Sequence, residues 1–234
     1  MSMLEKMYTD GVYLEKNPGW HVEESAWKAQ QIDHMLKLHQ IEPQTICEVG
    51  CGAGEILRQL QNKMNDSCEL WGYDISPQAL ELCTPKTNER LHFKLADIQQ
   101  EQDVFTDLLL VMDVIEHLED YFSFLRALQP KSHYKILHIP LDLSAQTVLR
   151  HRGLLHVRES YGHIHYFTKE IALRMLQDIG YEVYDYFYTA RSLELPTELL
   201  GRKVLGLPRK LLFTIHKDLA AHLLGGFSLL VLAK

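Results

Sequence analysis

Seven residues, Glu48-Val49-Gly50-Cys51-Gly52-Ala53-Gly54, carry the sharpest chemical signal in the chain. A short apolar run, Thr45 to Val49, ends in closely spaced glycines, and a helical pattern begins at about Glu55. Glycines there let a ligand approach the backbone, and a helix start offers unpaired N–H groups. Asp74 stands 20 residues after Gly54, at the end of the next apolar run. In a doubly wound sheet, a carboxylate at that place accepts hydrogen bonds from both ribose hydroxyls. A nucleoside cofactor is implied. The dinucleotide fingerprint would need glycine at position 55, where this chain has Glu55, an acid that would repel a pyrophosphate. The cofactor should therefore carry a sugar and little negative charge. Asp97-Ile98, closing a third run, suits an adenine amino group and its ring face.

The elements that must position these residues alternate. Residues 21–40 read as an amphipathic helix. Strands follow at Thr45–Val49, Leu70–Tyr73, Leu91–Leu95, Leu108–Met112 and Tyr134–Ile139, with helices from Glu55 to Lys63, after Ser76-Pro77, and from Asp120 to Leu128. Strands alternating with helices predict an α/β fold, a doubly wound parallel sheet covered on both faces. Beyond Pro140 the alternation loosens. Residues 141–167 read as His-rich and irregular, Lys169–Ile179 as a helix stopped by Gly180, and Tyr181–Tyr188 as a strand. A single helix is expected from Pro208 to Leu224, then a terminal strand, Phe227–Ala233.

Length and composition bound the reading. The chain has 234 residues, 46% hydrophobic and 24% charged, which is ordinary for a globular protein and excludes a disordered or disulfide-scaffold class. The net charge of −7 gives no reason to expect nucleic acid. It is unevenly spread: residues 191–234 carry +4, leaving −11 for the rest. Cys47, Cys51, Cys68 and Cys83 lie in or beside apolar runs and read as reduced thiols of a cytoplasmic protein. No signal peptide or transmembrane run is apparent. A single domain over 1–234 is expected: an N-terminal helix or lid (1–40), a cofactor-binding half (41–140), and an acceptor-side half (141–234) with an insertion at 191–224.

The runs ICEVGCGAG, WGYDIS, LADI and DLLLVMDVIEHLED, in that order, resemble the successive motifs of class I S-adenosylmethionine-dependent methyltransferases. The similarity is greatest to the small-molecule branch with the quinone-biosynthesis O-methyltransferases, and it covers residues 45–140. The resemblance implies a Rossmann-like seven-stranded sheet with the last strand antiparallel. It implies S-adenosyl-L-methionine as cofactor and S-adenosyl-L-homocysteine as product. Glu48 would act near the methionine amino group, and Gly50, Gly52 and Gly54 beneath the methionine and ribose. Asp74 would hold the ribose, Ile75 would cover the adenine, Asp97 and Ile98 would meet its amino group and ring, and Met112 and Asp113 would line the methionine end. Lys28, in an aromatic leading arm with Tyr13, Trp20, His21 and Trp27, would meet the methionine carboxylate.

The acceptor is expected to be a small molecule methylated on oxygen. A hydroxyl must lose its proton, and His117, His163 and His165 are the candidate bases. Two alternatives stand beside this. Asp113-x-x-Glu116-His117 matches, with Asp for the first Glu, a pattern that in similar methyltransferases binds a divalent metal gripping two oxygens of a diol, His163 or His165 being the distant ligand. The third reading is a cofactor-binding module without catalysis. The leucines of 191–224, with Arg202, Lys203, Arg209 and Lys210, read as core packing, an acceptor pocket or a peripheral membrane contact.

Overall fold

The computed structural model describes residues 19–20, 22–195 and 200–234, with the side chains of 200–205 left out of the description. Seven strands form one sheet: β1 (Thr45–Val49), β2 (Glu69–Asp74), β3 (Leu91–Leu95), β4 (Thr106–Met112), β5 (Ser132–Pro140), β6 (Val183–Thr189) and β7 (Ser228–Ala233). The spatial order is β3-β2-β1-β4-β5-β7-β6. β1 to β5 run parallel, and β7 is antiparallel to both β5 and β6. The order reverses between β1 and β4, the topological switch point where such sheets bind ligands.

Strand β4 shows why the sheet is buried on both faces. Its run Leu108-Leu109-Leu110-Val111 sends alternate side chains to opposite sides. Leu108 and Leu110 pack with Ile32, Met35 and Leu36 of α1 (Val22–Leu38) and Leu57 and Leu60 of α2 (Glu55–Gln61). Leu109 and Val111 pack on the other side. There they meet Phe124, Leu125 and Leu128 of α4 (Tyr121–Leu128) and Met175, Leu176 and Ile179 of α7 (Lys169–Ile179). Each such side chain contributes roughly 1.5–3 kcal/mol on full burial.

The helix starts follow local chemistry. The Ser76 hydroxyl accepts from the Ala79 amide ahead of Pro77 in α3 (Pro77–Cys83), and Thr168 caps α7 in the same way. Gly180, with φ 106°, ends α7 in the left-handed conformation that glycine adopts at least cost.

Two segments differ from expectation. Residues 141–167 are not wholly irregular; they hold α5 (Ala145–Leu149) and α6 (Gly153–Tyr161). Neither buries a residue, so no apolar stripe announces them, and α5 is started by a reciprocal Ser144–Thr147 capping box. The single helix expected at 208–224 is two, α9 (Leu200–Ile215) and α10 (Lys217–Leu224), after the short α8 (Arg191–Glu194). The break comes at His216, whose ring Nδ1 accepts the Leu219 N–H and caps α10.

Gly72, in the middle of β2, marks a close approach beneath the site. A Cβ there would lie 2.6 Å from the Phe93 ring and 2.8 Å from Cys51 Sγ. Gly72→Ala is expected to cost about 1–3 kcal/mol, since a ring and a buried thiol must both move. Urea denaturation of the two proteins measures it.

Candidate functional site

A cavity of about 680 Å³ opens over the carboxyl ends of β1, β2, β4 and β5. Its floor is the turn from β1 into α2. The amides of Gly50 and Cys51 both donate to the Tyr73 carbonyl (2.8 and 3.1 Å), which brings β2's end against the turn. Gly52 has φ 54°, and its amide donates to Asp74 Oδ2 at 2.8 Å; the Ser76 amide donates to Oδ1, also at 2.8 Å. Asp74 is thereby fixed at the cavity wall, and burial holds its pKa above the usual carboxylate value despite these backbone bonds. A Cβ at Gly52 would lie 3.2 Å from the Trp20 ring, so the absence of a side chain lets that ring pack close over the turn. Gly54 acts differently. It is not among the lining residues, and a Cβ on it would strike the Phe93 ring at 2.4 Å, so its role is packing.

Behind the floor stands Glu48, 1% exposed, with Oε2 making no hydrogen bond. Burial pushes its pKa well above the carboxylate range, with the Lys28 charge opposing. Lys28 Nζ lies 2.6 Å from Asp113 Oδ2 and 3.6 Å from Glu24 Oε2. Asp113 Oδ1 meets His138 Nδ1 at 2.5 Å, and His138 Nε2 meets Thr189 Oγ1 at 2.9 Å. The result is a buried chain from α1 through β4 and β5 to β6. Burial would raise the Asp113 pKa, but His138 and Lys28 more than offset it and hold it well below the usual range. Burial would likewise lower Lys28, yet Asp113 and Glu24 hold its pKa above the usual lysine value. Asp113 itself sits at φ 55°, a left-handed conformation that aspartate tolerates better than most residues and that turns its side chain toward Lys28 and His138.

His117 and His163 line the far wall, and Glu116 is buried beside them. One ligand atom from each lies within 4.8 Å of the others. Glu116 is fully buried, and neither carboxylate oxygen has a hydrogen-bond partner. Burial, reinforced by the Asp113 charge, pushes its pKa far up. His163 Nδ1 is 2.6 Å from Asp142 Oδ2, which leaves Nε2 facing Glu116 at 4.0 Å. The His117 and His163 rings meet edge to face at 4.8 Å. The mouth is closed on one side by α1 and α8: Trp27 Nε1 donates to Glu194 Oε2 at 2.7 Å, and Arg191 Nε pairs with Glu24 Oε1 at 2.5 Å.

Of the residues singled out from sequence, Lys28, Glu48, Gly50, Gly52, Asp74, Ile75, Met112, Asp113, His117 and His163 line this cavity, as do Trp20 and Trp27. Asp97, Ile98 and His165 do not. The Asp97 carboxylate accepts the Gln99 amide and caps a short turn, Ile98 is 1% exposed in the core, and His165 Nε2 donates to the Leu118 carbonyl. Tyr13 and His21 lie outside the described residues. For the metal alternative, Asp113 is taken by Lys28 and His138, and His163 stands in its place beside Glu116 and His117. Sequence reasoning missed His138, Asp142, Thr189, Arg191 and Glu194. His138 hides inside an apolar strand. Asp142, two residues past the end of β5, carried a faint signal as another acid at a strand end.

A family model described as a methyltransferase domain matches residues 22–186. Solved structures are similar in fold. The magnesium protoporphyrin IX methyltransferase ChlM from Synechocystis PCC 6803, with bound SAH, is 16% identical with a TM-score of 0.58, over 89% of this chain and 81% of that one. The plantazolicin methyltransferase BpumL in complex with SAH is 16% identical with a TM-score of 0.64, over 99% and 93%. A SAM-dependent methyltransferase from Archaeoglobus fulgidus is 18% identical with a TM-score of 0.57, over 88% and 94%. No curated protein matches by sequence.

Asp113→Asn should destabilise the fold by about 3–5 kcal/mol, because it leaves the buried Lys28 charge with the more distant Glu24 and takes the carboxylate from His138. The folded pKa of Asp113 lies below its unfolded value of ~3.9, so its contribution is present above that pH and is lost as the solution is acidified further. The stability gap between wild type and variant, followed by denaturant titration, should therefore narrow below about pH 4.

Proposed function

The chain belongs to the methyltransferase-domain family, and from that membership we propose that it transfers a methyl group from S-adenosylmethionine to an oxygen of a small-molecule acceptor. The observation that carries the reading is the charge of the cavity. Its described lining holds seven carboxylates (Glu23, Glu24, Glu48, Glu55, Asp74, Asp113 and Asp142) against Lys28 and Arg191. That surface repels a pyrophosphate and suits a ligand carrying an ammonium and a sulfonium. The orphaned Glu48 Oε2 is an acceptor waiting for a cationic donor, and Gly52, lacking a side chain, presents its backbone to the cavity beside the Trp20 ring. The residues present fit this cofactor.

Asp74 would hold the ribose hydroxyls, Ile75 would cover the adenine, and Glu48 and Met112 would face the methionine end. Lys28 is already paired with Asp113 at 2.6 Å, so it would meet the cofactor's carboxylate as one member of a buried ion pair. The cofactor supplies a methyl group already activated on sulfur. What remains for this chain is to align the acceptor, exclude water and remove a proton. His163 is the favoured base. Asp142 fixes the tautomer with the proton on Nδ1, and Nε2 is left to accept the acceptor's proton, with His117 beside it. Oxygen as the acceptor atom is also supported by the likeness of the sequence motifs to quinone-biosynthesis O-methyltransferases.

A second reading is favoured by one observation: Glu116, fully buried with both oxygens unsatisfied, within ligand range of His117 and His163. An uncompensated buried carboxylate costs several kcal/mol or stays protonated, and a divalent cation held by these three residues would relieve it. Such a cation would supply positive charge to hold two neighbouring acceptor oxygens. Asp142 would then orient His163 from behind.

Calorimetric titration tests the main reading. S-adenosylmethionine and S-adenosylhomocysteine are expected to bind at about micromolar Kd and NAD not at all. Asp74→Ala, which removes charge-assisted hydrogen bonds, should weaken both by roughly 10–100-fold. Folded protein that binds neither sulfur compound overturns the proposal. If both bind but no hydroxylated acceptor is methylated, the module without catalysis replaces it. For the metal, Mn2+ is expected to raise the Tm of the wild type and to leave Glu116→Gln unchanged; equal shifts in both proteins would discard the site.

A further inference from the structure

We propose that the surface formed by α9, α10 and α5 docks on an anionic lipid bilayer. Leu207, Leu211 and Ile215 repeat at four-residue spacing along α9 and are 63%, 65% and 72% exposed. The same helix turns Leu212 and Phe213 inward, where Phe213 packs with Tyr188 and Phe227. α9 is thus apolar on its outer face as well as its inner one, which a helix merely covering a core does not need. α10 adds Leu219 and Leu223, and it lies against α5, whose Leu149 is 84% exposed. Arg209 ties these pieces together: its Nη2 donates to the Leu224 carbonyl at 3.1 Å, holding α9 against the end of α10.

Charge selects the occupant. Residues 200–224 carry five Lys/Arg and one acid, Asp218, in a chain of net charge −7. That acid is already engaged by Lys169 and by the Tyr188 hydroxyl, both at 2.6 Å. Lys210 and Lys217 stand exposed beside the leucines, and Arg150 is exposed at the end of α5, whereas Arg152 beyond it is paired with Glu159. A second copy of this face would set like charges against each other. An anionic lipid surface would meet them with opposite charge while taking up the leucine row. Among the described residues no helix is long and apolar enough to cross a membrane, so the contact is peripheral.

The docking face stands apart from the chemistry, but its use rests on the methyl-transfer reading. Phe213 stacks on Phe227 at 4.6 Å, and Phe227 lines the cavity. The ring pair thus sets the docking face against one wall of the cavity, which suits a lipid-soluble acceptor.

Vesicle flotation tests the face. Wild type is expected to float with phosphatidylcholine vesicles containing about one third phosphatidylglycerol, to stay behind with phosphatidylcholine alone, and to be released at about 1 M salt. The double variant Leu211→Glu/Ile215→Glu should bind the anionic vesicles at least about ten-fold more weakly, with unchanged far-UV circular dichroism and S-adenosylhomocysteine affinity. Should that variant fold poorly, Lys210→Glu/Lys217→Glu is expected to lose the preference for anionic lipid. Absence of flotation in wild type, or equal flotation of wild type and variants, overturns the proposal. So does a dimer, seen by sedimentation, that Leu211→Glu/Ile215→Glu dissolves without any lipid binding. Intact flotation in a protein that binds no S-adenosylhomocysteine would instead remove the methyl-transfer reading and leave the docking face standing.

Discussion

The site depends on one electrostatic problem: several carboxylates must be kept at the edge of an apolar sheet without water to neutralise them. The protein solves it unevenly. Asp74 is held by backbone amides, Asp113 by a lysine and a histidine, and Glu48 and Glu116 by nothing that satisfies both of their oxygens. The first two are structural anchors because their charge is compensated within the chain. The last two carry a cost that only protonation or a ligand can relieve. That division separates residues that shape the cavity from residues that await something in it.

The ion chain from Lys28 to Thr189 has a mechanical role as well as an electrostatic one. It joins α1 to the ends of β4, β5 and β6, and so fixes the cavity's roof relative to its floor. The left-handed backbone at Asp113 is the strained point in that chain, and it persists because two partners pull on the same side chain. Removing either partner would free the strand end as well as uncover a charge.

Much of the fold was legible in sequence because strands and helices differ in period. The five parallel strands announced themselves as short apolar runs ended by Gly, Asp or Pro, and the glycine turn with Asp74 located the cavity. Legibility failed where the deciding interaction is distant. His138 looks like any residue of a buried strand until Asp113, 25 positions away, is seen beside it. α5 and α6 bury nothing and leave no periodic trace. Asp97 and Ile98 fit an adenine by type, but their local turn sends the carboxylate to its own backbone neighbour. His163 and His165 are two residues apart with opposite fates, one turned to Asp142 and the other to a carbonyl. No spacing rule separates them.

The bonds that close the cavity mouth also bear on how the protein is made. Trp27 and Glu194 are 167 positions apart, and Glu24 reaches Arg191 across a similar span. The parallel half of the sheet needs only the chain up to Pro140. During synthesis it can therefore assemble with the mouth still gaping, and Trp27, though its ring already meets His138, must wait for the last third to emerge before it finds Glu194. Closing so long a loop comes late and slowly. A nascent chain would thus pass through a stage in which the sheet is formed and the ligand chamber is open to the ribosome-side solvent, exposed to chaperones and proteases before it can hold anything.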